Sequence, residues 1–198
     1  MTAISVPTAK DPLATLREDA RALQSTALFS PAPTDGDDFI NGDGADDLIR
    51  ALGGLDSVFG RGGDDRIFGD AGQDHLFGNL GRDRLFGGAD PDVLNGGNGI
   101  DRLEGGRDDD FLWGNAGADK FIFRAATGFE GDDTVQDFEL GKDKVVLVGF
   151  TDGLDGVQVQ DEGGTAVLRL LETGTFIRLN GATFAAVSEA LSTVVAFA

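Results

Sequence analysis

From Phe59 to Gly88 the chain reads FGRGGDDRIFGDAGQDHLFGNLGRDRLFGG, and the same order of aspartate, any residue, aliphatic, phenylalanine and glycine returns every nine residues. Neither the 3.6-residue helix nor the two-residue strand produces a beat of nine. A unit this short cannot hold a core of its own and must stack on its neighbours, so the period predicts a solenoid. The apolar position falls without a slip at Ile40, Ile49, Val58, Ile67, Leu76, Leu85, Leu94, Leu103, Leu112 and Phe121. Two residues before each stands an aspartate: Asp38, Asp47, Asp56, Asp65, Asp74, Asp83, Asp92, Asp101, Asp110 and Asp119. Glycine opens most units, at Gly42, Gly60, Gly69, Gly78, Gly87, Gly96, Gly105 and Gly114, and recurs three places later at Gly54, Gly63, Gly72, Gly81, Gly99 and Gly117.

The glycine-rich first six residues of a unit are expected to turn through positive φ, where a residue without Cβ meets no clash. The last three are expected to form a minimal strand, with the apolar side chain facing inward and its two neighbours outward. Two units then make one coil, and successive coils stack parallel strands about 4.8 Å apart. The aspartates fall into two columns, Asp47, Asp65, Asp83, Asp101 and Asp119 on one side, Asp38, Asp56, Asp74, Asp92 and Asp110 on the other. On the second side Asp90 and Asp108 replace the turn glycine and Pro91 follows, so its later sites are expected to be altered or empty. Stacked loops bring carboxylates and backbone carbonyls around a small gap, an all-oxygen cage that suits Ca²⁺ better than Mg²⁺, which gives up its waters reluctantly.

The unit has the form G-G-x-G-x-D-x-U-x, and residues 34–122 resemble the hemolysin-type calcium-binding repeats of RTX proteins. That resemblance implies an all-β fold, a right-handed two-sheet parallel β-roll holding several calcium ions, up to about eight, in flexible oxygen cages. The metal-binding residues it implies are the ten aspartates together with Gly42, Gly60, Gly63, Gly69, Gly72, Gly78, Gly81, Gly96, Gly99, Gly114 and Gly117. No residue is expected to be catalytic or to bind an organic cofactor. At millimolar calcium and a Kd near 0.1 mM each site adds about 1.4 kcal/mol, whereas at intracellular calcium it adds almost nothing. The repeats thus read as a device that folds on export.

The flanks differ. Leu13, Leu16, Ala20, Leu23 and Ala27 recur at helical spacing, with Asp11 placed as N-cap and Pro12 at the first helical position. Residues 1–33 are therefore expected to hold an amphipathic helix and a linker. After Arg124 the nine-residue beat lapses. Strands are expected at Thr134–Phe138, Lys144–Gly149, Thr165–Leu171 and Thr175–Asn180, and a helix at Ala185–Val195. Residues 123–198 would form a β-rich cap. The segment GADKFIFRAATGFEGDDTVQDFELGKDKVVLVGF resembles the C-terminal domain of RTX proteins exported by type I secretion, which implies that transporter as a partner and a secreted, extracellular or surface-associated location.

A net charge of -19 argues against a nucleic-acid partner. The absence of cysteine excludes disulfides and thiolate chemistry. Met1 is followed by no basic and apolar leader pattern, so no Sec-type signal peptide is expected, and no apolar run approaches the roughly 18 residues of a membrane helix. One outward face carries Phe39, Phe59, His75, Phe77, Val93, Phe111 and Trp113 and is expected to be covered or to serve self-association or a surface partner. The other carries Arg66, Arg84, Arg102 and Lys120 with Phe68, Phe86 and Glu104, read as charge balance for the aspartates or as a seat for an acidic polymer.

No H-E-x-x-H or G-x-S-x-G occurs, and His75, the single histidine, has no partner constellation. The expected function is a secreted, calcium-folded binding or structural module without enzymatic activity. The alternative is the C-terminal part or a relative of a secreted RTX protease, lipase or polysaccharide-modifying enzyme. An ice-binding array is disfavoured because Thr34 is the only threonine from Thr34 to Ile122.

Overall fold

In the computed structural model residues 32–125 and 131–197 are described. The helix expected within residues 1–33 lies outside them. The repeats form a parallel solenoid of two sheets. One sheet takes strands β1 (Phe39–Asn41), β3 (Ser57–Gly62), β5 (His75–Leu80), β7 (Val93–Gly99) and β9 (Phe111–Gly117). The other takes β2 (Leu48–Gly53), β4 (Arg66–Ala71), β6 (Arg84–Ala89), β8 (Arg102–Gly106) and β10 (Lys120–Arg124). Consecutive strands alternate between the sheets, and each pairs in parallel with the strand one coil away.

The register is set by the apolar residues. Val58, Leu76, Leu94 and Leu112 lie side by side in one sheet, and Ile49, Ile67, Leu85 and Leu103 in the other. Each is fully buried, so a slip of one residue would turn the whole file outward. Most strands here run five to seven residues, longer than the three expected, because the strand continues through the glycine that opens the next unit. In β4 the order exposed, buried, half-buried, buried over Arg66 to Gly69 makes Gly69 a second inward position.

The solenoid outlasts the nine-residue beat. Strand β11 (Asp133–Val135) pairs with β9, and β12 (Lys144–Val148) pairs with β10, each in parallel. The first sheet is then completed by β15 (Phe176–Thr183), parallel to β11, and by antiparallel β14 (Thr165–Leu170) and β13 (Val157–Glu162). A short strand β16 (Val195–Phe197) ends the second sheet beside β12. The expected C-terminal strands thus exist with shifted ends, while β13, β16 and a 3₁₀ turn at Gly153–Gly156 carried no recognised pattern. The expected C-terminal helix is found at Phe184–Val194. It is N-capped by Thr183, whose Oγ1 accepts the Ala186 N–H at 3.4 Å, and it buries Val187 and Val194. It packs on β12 to β16, where Leu147, Leu168 and Leu170 are fully buried.

Candidate metal centre

Each repeat aspartate sits just before its strand, and the 18-residue coil places it over its counterpart. From Asp56 to Asp119 all are buried. One carboxylate oxygen of each is used in stacking: the Asp47 N–H donates to Asp65 Oδ1 at 2.8 Å, Asp65 to Asp83 at 2.9 Å, Asp83 to Asp101 at 2.8 Å and Asp101 to Asp119 at 2.9 Å. The other column repeats this through Asp38, Asp56, Asp74, Asp92 and Asp110. All ten predicted aspartates are therefore gathered into two ladders.

The second oxygen defines the chemistry. Oδ2 of Asp56, Asp65, Asp74, Asp83, Asp92, Asp101, Asp110 and Asp119 is buried and has no hydrogen-bond partner. A buried charged oxygen without a partner is costly, so this row calls for cations. The ladder ends are different. Asp38 Oδ2 accepts from the Thr34 N–H at 2.6 Å and the Thr34 hydroxyl at 3.0 Å, and Asp47 Oδ2 accepts from the Asp43 N–H at 2.9 Å. Only interior rungs leave oxygens free.

The opening glycines face these oxygens. A Cβ on Gly60 would lie 2.1 Å from Asp65 Oδ2 and 2.9 Å from the Gly78 carbonyl oxygen. On Gly69 it would lie 2.3 Å from Asp74 Oδ2 and 2.7 Å from the Gly87 carbonyl, and Gly42, Gly78, Gly87, Gly96, Gly105 and Gly114 meet the aspartate of their own unit in the same way. A carboxylate oxygen of one coil and a carbonyl oxygen of the next thus share a space that no carbon can enter. These glycines do not have positive φ, which corrects the expectation that turning explains them: oxygen crowding does. Ala51, buried, opens the Asp56 unit, so that rung alone among these carries a methyl group at the opening position.

Positive φ occurs instead at the second and fourth positions of the unit. Gly63, Gly72, Gly81 and Gly99 hold φ of 108, 112, 134 and 150°, beyond the reach of ordinary L-residues. Asp90 and Asp108, expected to disturb their sites, take φ of 73 and 67° in the left-handed region that aspartate tolerates. The ladder continues past them unbroken to Asp92 and Asp110.

Two rungs were missed in the sequence. The Asp110 N–H donates to Asp133 Oδ1 at 2.9 Å and the Asp119 N–H to Asp143 Oδ1 at 3.0 Å, so the columns run on into the C-terminal region. The signal was present as Asp133-Thr134-Val135 and Asp143-Lys144-Val145, with both valines fully buried. Steps of 23 and 24 residues in place of 18 hid it. Asp143 Oδ2 is satisfied by the Glu139 N–H at 2.8 Å and closes its ladder as Asp47 opens it. Replacing Asp143 by Ala is expected to leave the Asp119 N–H buried without a partner, costing about 1–3 kcal/mol. A calcium-dependent melting curve unchanged by that substitution would contradict this placement.

Burial pushes the ladder carboxyls up from their ordinary range: Asp74, Asp83, Asp101 and Asp119 to about 6, Asp65 to about 7, Asp92 to about 8 and Asp110 to about 9. Stacked neighbouring carboxylates push the same way, while the N–H donated along the ladder opposes them. Among the described residues no cluster of three or more metal-ligating side chains converges on one point. A cation here would be held by ladder carboxylates together with backbone carbonyls, a donor set of hard oxygens that fits Ca²⁺. His75 directly follows the ladder residue Asp74, and its side chain is exposed on the outer face of β5.

The RTX calcium-binding nonapeptide repeat matches residues 34–67, 59–94 and 95–124. Residues 34–124 are therefore RTX calcium-binding repeats, folded as a β-roll. Among solved structures, the AlgE6R3 subunit of the Azotobacter vinelandii mannuronan C5-epimerase is 24% identical with a TM-score of 0.41, over 89% of this chain and 84% of that one. The extracellular lipase LipA from Serratia marcescens is 17% identical with a TM-score of 0.40, over 84% of this chain and 39% of the lipase. No curated protein matches the chain.

Proposed function

We propose that this run of RTX repeats is a folding switch operated by extracellular calcium: the chain leaves the cell unfolded through a type I transporter, folds on meeting calcium, and then serves as a non-enzymatic binding or structural module. The observation that carries this reading is the row of eight buried Oδ2 atoms without partners. Bound calcium would supply the positive charge those oxygens face. Asp65, Asp83, Asp101 and Asp119 on one side, and Asp74, Asp92 and Asp110 on the other, would hold it together with the carbonyls of the opening glycines. The remaining work is done by the chain: Oδ1 locks each coil to its neighbour, and the glycines keep carbon out of the cage.

At neutral pH, ionising a carboxyl that burial has shifted from about 4 to about 6 costs on the order of 3 kcal/mol in the folded, metal-free state. A few such groups equal the whole net stability of a typical domain, about 5–15 kcal/mol. The metal-free coil is thus unstable where the carboxylates are charged, and calcium reverses the balance.

Circular dichroism and light scattering across a calcium titration test the proposal. At micromolar free calcium the chain is expected to be expanded and poor in β-structure, and near millimolar calcium compact, with a steep transition between. A native spectrum in excess chelator at pH 7 would overturn it.

A further inference from the structure

The outward face of the second sheet holds a feature that the calcium chemistry does not use. Arg66 lies beside Arg84, Arg84 beside Arg102, Arg102 beside Lys120 and Lys120 beside Lys144, in one unbroken register. All five are exposed, and among the described residues none pairs with an acidic side chain. Two acids on that face are already engaged, Asp70 by Arg50 and Glu104 by Arg124. Like charges directly opposed on neighbouring strands repel, so the row costs stability in a chain whose net charge is -19. Balance against the buried aspartates holds only without metal: once calcium neutralises the adjoining column, the row stands as uncompensated positive charge.

We infer that this row is a binding site for a linear acidic polysaccharide, and that it becomes competent when calcium loads the coil. The row is one residue wide and straight, with one cation per strand, so five rungs span roughly 19 Å at the ordinary strand repeat. An extended polysaccharide with one acid group per sugar ring spaces its charges on a similar scale, and a guanidinium can grip a carboxylate or sulfate through two parallel hydrogen bonds. Duplex DNA fits poorly: its phosphates come at about 3.4 Å along each strand and wind around the axis, and the acidic remainder of the chain repels them. Single-stranded nucleic acid would need exposed aromatic faces, whereas the Phe68 and Phe86 rings beside the row stack on each other at 4.7 Å. A bilayer would call for a broad basic patch, and this is a single file.

The inference rests on the reading of the chain as a calcium-folded binding module, and the test separates the two. Chondroitin sulfate of defined length, with neutral dextran as control, is titrated into the full chain in millimolar calcium at several salt concentrations, while circular dichroism reports folding on the same samples. The wild type is expected to bind chondroitin sulfate and not dextran, with affinity falling steeply with salt. The variant R66Q/R84Q/R102Q is expected to fold normally with calcium, to bind at least tenfold more weakly and to lose about three from the salt slope. The charge-matched variant R107Q/R169Q/R178Q, altered away from the row, is expected to bind like the wild type. Equal loss in both variants, unchanged binding in the row variant, or preference for phosphatidylserine vesicles or duplex DNA would overturn the inference. So would calcium-dependent dimerisation abolished by the row substitutions, which would assign the row to a second copy of this chain. If no calcium-induced folding occurs at all, the folding proposal fails first and is seen to fail in the dichroism.

Discussion

Gly99→Ala is expected to abolish calcium-induced folding, while Gly44→Ala leaves it unchanged. Gly99 sits at φ 150°, and a Cβ built on it would lie 1.5 Å from the Gly81 carbonyl oxygen one coil back. That neighbour is backbone, held where the Gly81 N–H donates to the Asn98 carbonyl at 2.9 Å, and it cannot swing aside as a side chain would. The substitution combines a forbidden backbone conformation with a collision inside the stack, and a loss of 3 kcal/mol or more is expected. Gly44 lies in the first loop of the same column with ordinary φ and nothing within 4 Å of its added Cβ. Both variants change only a hydrogen for a methyl group, so comparing their calcium titrations isolates the stacking contact. Equal midpoints would show that the coils do not approach as described.

The second large effect concerns pH and has the opposite sign to ordinary acid denaturation. A chain stripped of calcium is expected to gain β-structure as pH falls from 8 towards 4. For each ladder carboxyl the folded pKa lies above the unfolded one, so folding takes up protons. Its contribution is fully present below about pH 4 and is lost as pH rises through 6 for Asp74, Asp83, Asp101 and Asp119 and towards 9 for Asp110. With calcium the order inverts, since the ion binds the ionised form and protons displace it. Asp83→Asn mimics the protonated state and is expected to ease folding of the metal-free chain while weakening its response to calcium. Scattering and dichroism on resin-stripped protein read both arms. A metal-free chain that stays expanded at pH 4, or an Asn variant weakened in both arms alike, would contradict the account.

How far the sequence carried these conclusions depends on where its periodicity held. Ten Asp-x-apolar units fixed two columns, two sheets and the inward file from Ile40 to Phe121, because a period of nine admits few ways of burying one side chain in each unit. The reason for the opening glycines was not legible. Gly60 and Gly69 read as turn residues, and only the stacked coils reveal that a carboxylate oxygen and a carbonyl of the next coil occupy the place of their Cβ. Asp133 and Asp143 escaped because five extra residues before Asp133 and one more before Asp143 broke the beat while leaving the Asp-x-Val signature intact. Asp90 and Asp108 looked like defects because sequence shows the missing glycine and not the φ near 70° that aspartate can hold. On the aromatic face Phe39 is 69% and Phe111 45% exposed, while Phe59 and Phe77 shield one another by stacking at 4.7 Å. The cations were noticed as a row, but their register across five strands, extended by Lys144, follows from pairing that sequence does not show.

The most direct measurement is anomalous X-ray scattering from crystals grown in calcium. The account places anomalous peaks against Oδ2 of Asp65, Asp83, Asp101 and Asp119 in one column and of Asp74, Asp92 and Asp110 in the other, each also reached by carbonyl oxygens of the opening glycines. It places the weakest peak, or none, at Asp56, where Ala51 brings a methyl group to the cage. An intact coil whose Oδ2 atoms are met only by water, with calcium elsewhere or absent, would contradict it.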